Sequence, residues 1–355
     1  MKLQEFIKSH LLKRTFVSYI LFPFSLINFL IQTIHRKFYK IFPNKQFKSK
    51  KFIISIGNIV SGGTGKTPLT ILLSEILTSL NFKVAVSHRG YKGKFENSNK
   101  IISDYYSIRP EAKNAGDEAN LLASKLKGIP VIVGKNRAKS IQMLENTFTD
   151  LDIIILDDSF QHLKVYHNLD LVVFNSLSKI GNGFLLPAGI LREPLSAITN
   201  ADLILINGIN PIKELDQFHK PFIHSKYVVD KFYKPNLEPV SINTILSSRI
   251  VLLSGIGIPE SFENTIKSKN IQIVKHFIFE DHHQFTDQDL YSIQYYIKHH
   301  KIDYVLTTEK DFAKLQYKQE IIPLVVVSVK LDIVNLDKFR NFICNKFVDL
   351  NNKTT

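Results

Sequence analysis

"FIISIGNIVSGGTGKTPLT", residues 52–70, decides how the rest of the chain is read. A short run of apolar, largely β-branched residues enters a loop with Gly62, Gly63 and Gly65, followed by Lys66 and Thr67. Behind them Leu69, Leu72, Leu73, Ile76, Leu77 and Leu80 keep the i, i+3, i+4 spacing of a helix. Strand, glycine loop and helix form the context in which backbone N–H groups and a helix N-terminus can cradle phosphate. The general pattern G-x-x-x-x-G-K-[ST] wants glycine where Val60 stands, but the remaining elements are in place. Gly62, Gly63, Thr64, Gly65, Lys66 and Thr67 are therefore expected to hold a nucleotide. Lys66 would neutralise the β and γ phosphates, and the Thr67 hydroxyl would ligate magnesium, making ATP and Mg2+ the expected cofactors. Pro68 is tolerated early in the helix, where a missing N–H has no intrahelical partner.

Outward from this loop the chain alternates apolar runs with helical segments: 83–87, 129–134, 152–158, 170–175 and 202–207 read as strands. Several are Ile/Val-rich throughout, as strands covered on both faces are. A second strand–helix series occupies 249–257, 271–279, 303–311 and 322–330. The expected fold is α/β: a P-loop NTPase-like, doubly wound, mostly parallel sheet with a second, smaller α/β lobe and an N-terminal membrane-associated helix. The expected boundaries are 1–51 for the apolar and basic N-terminal segment, 52–207 for the kinase-type domain, 208–248 for an inter-lobe connection and 249–350 for the smaller lobe.

The formal net charge of +14 implies an acidic partner. Its distribution narrows the choice. Thr15–Ile34, "TFVSYILFPFSLINFLIQTI", is uncharged over 20 residues, long enough to cross a hydrocarbon core, and Arg36–Lys51 then carries seven basic residues and no acid. A cleaved signal peptide is not expected, because a basic stretch stands where a small-residue cleavage site would be. A spanning helix, an interfacial anchor and a buried helix remain open, because Ser18, Pro23, Ser25, Asn28 and Gln32 dilute the run and both flanks are basic. The basic cluster is not organised as a nucleic-acid module, so an anionic membrane surface is the expected partner and nucleic acid is not. With one cysteine, Cys344, a disulfide framework is excluded.

A phosphate loop needs an acid at the end of a neighbouring strand. "LDIIILDDSFQH" supplies Asp157 and Asp158 at the end of the most apolar strand, as magnesium ligands. "GDEANLLA" starts a helix with Asp117 and Glu118, which serve equally as helix-capping charges. "SHRGYKGK" sets Arg89 at a strand end, suited to an anion or to an ordinary loop. "LLPAGILREP" carries Arg192 and Glu193, compatible with phosphate or metal binding. "FEDHHQFT" offers Asp281, His282 and His283, yet lacks the further carboxylates of a metallophosphoesterase centre.

Together these stretches resemble the tetraacyldisaccharide 4'-kinases, the lipid A 4'-kinases of Gram-negative bacteria. "GNIVSGGTGKTP", "SHRGYKGK", "GDEANLLA", "DDSFQH", "GNGFLLPAGILREP", "SGIGIPESF", "FEDHHQF" and "LTTEKDF" occur in that family's order from Gly57 to Asp311. The resemblance implies transfer of the ATP γ-phosphate to the 4'-hydroxyl of a tetraacylated glucosamine disaccharide 1-phosphate, a step of lipid A biosynthesis. It places the protein at the cytoplasmic face of the inner membrane; the oligomeric state is left open, with a monomer favoured. It makes Asp117 the catalytic base, assisted by His282, and Lys66 the third catalytic group. It sets Asn58, Arg89, Gln161, His162 and Arg192 on the substrate, and Glu193 beside Thr67, Asp157 and Asp158 at the metal. Ser159 departs from the family's usual glycine, and His88 from its common arginine. A partitioning ATPase of the "KGGxGKT" kind would carry lysine at Ser61, and a membrane scaffold with a degenerate loop would not bind ATP.

Overall fold

The structure is a computed structural model that describes residues 10–281, 283–315 and 322–351. The chain divides into two compact units, 1–226 with 333–355, and 227–332.

The first unit is built on a sheet whose central strand, β1 (Phe52–Gly57), lies between β5 (Ile153–Asp157) and β6 (Leu169–Asn175). Beyond β5 come β2 (Val84–His88), β4 (Val131–Val133) and β3 (Lys100–Ser103); beyond β6 come β7 (Leu203–Asn207) and the first part of β8 (Phe222–Tyr233). The pairings are parallel except at β3, an antiparallel edge strand. Ile53, Ile54 and Ile56 of β1 and Ile153 to Leu156 of β5 are buried, because helices cover both faces. These helices include α2 (Lys66–Ser79), α3 (Asp117–Lys125) and α4 (Arg137–Thr147). Ligands of such sheets gather at the carboxyl ends of the strands, where the chain leaves in opposite directions. Register sets the partner there: Ile56, next to the end of β1, pairs with Asp157 at the end of β5.

An N-terminal helix, α1 (Phe16–Ile41), docks on this unit with an inverted pattern. Its buried residues are Ser18 and Ser25, while Phe16, Ile20, Phe24, Ile27, Leu30, Ile34 and Ile41 are exposed. The Ser25 hydroxyl donates to the Leu185 carbonyl at 2.7 Å and accepts from Ala188 N–H at 3.1 Å, and Asn28 Nδ2 donates to the Leu186 carbonyl at 3.0 Å. The polar residues that interrupt the apolar run therefore face protein, and the apolar ones face outward. The helix is long and apolar enough to cross a membrane by length and composition.

Within the second unit, β10 (Ile250–Ser254) lies between β11 (Ile273–Ile278) and β12 (Tyr304–Thr308), with β13 (Leu324–Ile333) beside β12, and these pairings are parallel. α6 (Pro259–Lys267), α7 (Asp287–His300) and α8 (Glu309–Leu315) accompany it. Two expected boundaries are corrected. Residues 208–248 are not a plain connection, since β8 runs through them for 12 residues and a short strand, β9 (Pro239–Val240), and helix, α5 (Ile242–Leu246), follow. The smaller lobe does not reach residue 350: α9 (Leu336–Asn351) belongs to the first unit, where Phe347 packs on Phe52 and Phe82 and Lys346 pairs with Asp202.

Candidate active site

The glycine loop leaves β1 through Gly57, where a Cβ would come within 2.4 Å of the Phe160 Cβ; only glycine lets the loop after β5 approach so closely. Gly62 and Gly65 have φ of +108° and +102°, and a Cβ at Gly62 or Gly63 would meet nothing within 4 Å. The loop thus lines open space at the N-terminus of α2, with the geometry an anion requires. Asn58 is fully buried and donates from Nδ2 to Thr64 Oγ1 at 3.0 Å, so it shapes the loop instead of facing a substrate, a correction to its expected role.

Asp157 is buried against the start of α2. Thr67 Oγ1 donates to its Oδ2 at 3.2 Å and Thr70 Oγ1 to its Oδ1 at 3.1 Å. Burial raises its pKa, a shift opposed by His88 and reinforced by Glu118 and Asp158. Asp158 adopts a left-handed φ of +53°, within 3.5 Å of Lys66 Nζ and 3.4 Å of Arg192 Nη1. Burial pushes its pKa up, but Lys66, Arg192 and Arg137 outweigh that and hold it below the usual carboxylate range. The two neighbouring acids are thus tuned in opposite directions. Ser159, the departure from glycine, has no left-handed backbone, so the substitution costs no φ strain there. Its buried Oγ has no hydrogen-bond partner among the described residues.

Three residues of this constellation, Thr70, Arg137 and His88, carried no expected role. Arg137 is buried at the start of α4 and donates to the Asp157 carbonyl and, at 3.2 Å, to Ser87 Oγ, tying the ends of β5 and β2 together. Burial lowers its pKa to about 10, which leaves the guanidinium charged at neutral pH. His88 accepts on Nδ1 from Gly90 N–H at 2.9 Å, which assigns the proton of the neutral ring to Nε2, 3.3 Å from Glu118 and 3.9 Å from Asp157. His88 therefore links the start of α3, where Asp117 stands exposed, to the acid beside Thr67. Backbone closeness reinforces that link: a Cβ on Gly93 would come within 2.3 Å of the Ala115 carbonyl. The only sequence signal for Thr70 and His88 was position, one turn beyond Thr67 and the last residue of a buried strand.

The other expected residues separate. Arg89 is half-exposed and paired with Glu96 at 2.8 Å. Gln161 donates to the Asn58 carbonyl, and His162 lies with it in a cavity beside α1. Glu193 is corrected as a metal ligand: it is fully buried and accepts from Arg36 Nε at 2.9 Å. Burial raises its pKa while Arg36 lowers it, and the Arg36 guanidinium also sits 4.4 Å over the Phe160 ring. His282 lies outside the described residues; Asp281 pairs with Lys310 at 2.9 Å and His283 with Asp289 at 3.0 Å. Among the described residues no cluster of His, Cys, Asp and Glu forms a metal site of its own.

In the second unit Ser254 Oγ, His276 and Glu263 are linked at 2.8 and 3.1 Å, the connectivity of a nucleophile triad. Ser254 is fully buried, however, and the adjacent Gly255 N–H is committed to Asp311 at 3.0 Å. With neither access nor an oxyanion donor, the chain fastens β10, β11 and α6 together.

A parallel sheet with a glycine loop at its central strand, a lysine and threonine opening the next helix and an acid in register defines a P-loop phosphotransferase. The description "LpxK: Tetraacyldisaccharide-1-P 4'-kinase" matches residues 17–348, and the chain belongs to that family. It is 31% identical to the tetraacyldisaccharide 4'-kinase of Syntrophus aciditrophicus, over 84% of either chain. To that of Desulfotalea psychrophila it is 35% identical, over 77% of this chain and 80% of the relative. It is also similar to the solved structure of an "apo" form of LpxK from Aquifex aeolicus in complex with ATP, with a TM-score of 0.71 and 26% identity over 93% of this chain and 99% of the other.

Proposed function

We propose that the protein transfers the γ-phosphoryl group of ATP to the 4'-hydroxyl of a tetraacylated glucosamine disaccharide 1-phosphate at a membrane surface. The observation that carries this reading is the convergence of Lys66, Thr67, Asp157 and Asp158 on an open glycine loop, within a chain of this family. Magnesium fits the Thr67–Asp157 pair, because a hydroxyl and a carboxylate already meet there; when bound, it would supply charge neutralisation between the β and γ phosphates. Lys66 adds a cation to the developing charge, and the loop N–H groups hold the phosphate oxygens in line. Asp117 orients the sugar hydroxyl and accepts its proton late, since a carboxylate is too weak a base to remove it outright. Arg192, held by Asp158, faces the same charge from the segment after β6, where its backbone N–H donates to the Ile59 carbonyl at 2.7 Å.

The docked pose of α1 supports an interfacial anchor over a spanning one. Contacts from Ser18 to Arg36 extend along about 27 Å of helix, all to the first unit, leaving one apolar face outward beside the basic residues Lys37 to Lys51. Such a face would enter the headgroup boundary and bring the loop to lipid-borne sugar. The test is acceptor-dependent transfer of labelled γ-phosphate in detergent micelles with ATP and magnesium. Formation of the 4'-phosphorylated lipid supports the assignment, and ATP consumption without any lipid product would sink it.

A further inference from the structure

Beside the glycine loop, a cavity of about 400 Å³ is lined by His35, Lys135, Asn136, Gln161, His162 and Lys164 among others, with no acidic residue in its wall. Three features make it a seat for an anion. Lys135 and Lys164 are exposed at it, and among the described residues neither ammonium group has an ion-pair partner. Asn136 caps α4 by accepting from Lys139 N–H at 3.1 Å, so the positive end of an eleven-residue helix opens at the wall. The two histidines lie in a positive field: burial lowers the His162 pKa to about 4 with help from Arg137, His167 and Lys164, and burial, Arg36 and Lys164 lower that of His35. Both are neutral at pH 7 and retain an N–H for a phosphate oxygen.

The cavity's neighbours say where that anion comes from. His35 stands on α1, whose apolar residues face outward, while Gln161 donates to the Asn58 carbonyl at the root of the glycine loop. An anion seated here lies between a lipid-facing helix and the phosphoryl donor site. An acceptor disaccharide carries its hydroxyl nucleophile and its 1-phosphate at opposite ends, so a seat for one end fixes the reach of the other. We propose that this cavity binds the 1-phosphate of the acceptor, as a phosphomonoester subsite separate from the nucleotide phosphates; the proposal rests on the function assigned above. Lys135 and Lys164 supply the charge, and His162 and Gln161 orient the phosphate.

The test is equilibrium binding of the acceptor, with and without its 1-phosphate, to the detergent-solubilised full chain, alongside kinetics on both forms. The wild type should bind the 1-phosphorylated form about tenfold to a hundredfold more tightly, the range for charge-assisted contacts to a phosphate. Lys135→Ala with Lys164→Ala should abolish that preference, raise KM for the phosphorylated acceptor and leave KM for ATP unchanged, while Lys135→Arg with Lys164→Arg retains most of it. Equal losses on both acceptor forms, or none on either, would overturn the subsite. So would a double variant that keeps acceptor discrimination but no longer binds phosphatidylglycerol vesicles, which would assign the cavity to a bulk phospholipid headgroup. Preferential binding without any turnover would uphold the subsite and reject the kinase reading.

Discussion

Asp157 Oδ2 lies 3.2 Å from Thr67 Oγ1, although 90 residues separate them, because Ile56 and Asp157 share a register position on adjacent parallel strands. The pair is costly to keep. Asp157 is buried and its pKa is raised, so the proton-bound form is favoured in the folded state. Its stabilising contribution is present below the ordinary aspartate pKa and is lost as pH rises through the folded value. At neutral pH the ionised carboxylate therefore weighs against folding, a burden that a bound cation would relieve.

Asp157→Asn removes that burden and the metal ligand together. Transfer activity should fall by at least about a hundredfold, while thermal stability at pH 7 without magnesium should equal or exceed the wild type's. The stability gain should vanish toward acidic pH, where Asp157 is protonated. A variant that is less stable at pH 7 yet fully active would contradict the assignment.

Glu193 and Arg36 make a different prediction. Removing the guanidinium by Arg36→Met strands a buried carboxylate, which costs about 3 kcal/mol. The second substitution, Glu193→Gln, should restore most of that loss, because an amide is cheaper to bury than a charge. Denaturant midpoints of the two single variants and the double variant measure the coupling, and simple additivity would show that the pair is not the reason Glu193 is tolerated there.

How legible all this was in the sequence depended on range. The glycine loop, Lys66 and Thr67 are local, and the apolar strand before Asp157 places an acid at a strand end by periodicity alone. Glu193 was misread because its partner lies 157 residues away, and nothing within "LREP" signals Arg36. Ser18, Ser25 and Asn28 looked like flaws in an apolar run, since composition cannot distinguish an interrupted span from a helix that binds protein through its polar face. The substrate role of Asn58 rests on the family resemblance alone, and nothing in the loop sequence signals that its side chain is buried and bonded to Thr64. The boundary near residue 208 failed because proline and charged residues in "NPIKELDQFHKPF" mask the strand that follows.

The His162 pKa of about 4 sets a pH window. A histidine whose folded pKa is depressed contributes stability above its unfolded pKa, near 6.5, and loses it as pH falls through the folded value. Between pH 6.5 and about 4 the unfolded chain binds the extra proton, so stability should decline across that interval. His162→Gln cannot take up that proton in either state, and its stability should fall less steeply over the same range. Parallel pH dependences for the two proteins would place the ring in contact with solvent.

Asp117 opens α3 next to Glu118, which His88 links to Asp157, and stands outside the glycine loop itself. Its proposed work is on the acceptor hydroxyl, so substitution should separate chemistry from nucleotide binding. Asp117→Ala should lower kcat by about a hundredfold or more, within the range for a general base, and leave the affinity for ATP within about twofold of the wild type's. Asp117→Asn can still orient the hydroxyl by accepting its hydrogen bond but cannot take the proton, so it should retain acceptor binding while losing turnover. His88→Gln tests the positioning chain: it should raise KM for the acceptor and lower kcat less than Asp117→Ala does, because the carboxylate remains and only its placement loosens. If Asp117→Ala instead weakened ATP binding in proportion to turnover, the residue would belong to the nucleotide site and the proton would need another acceptor.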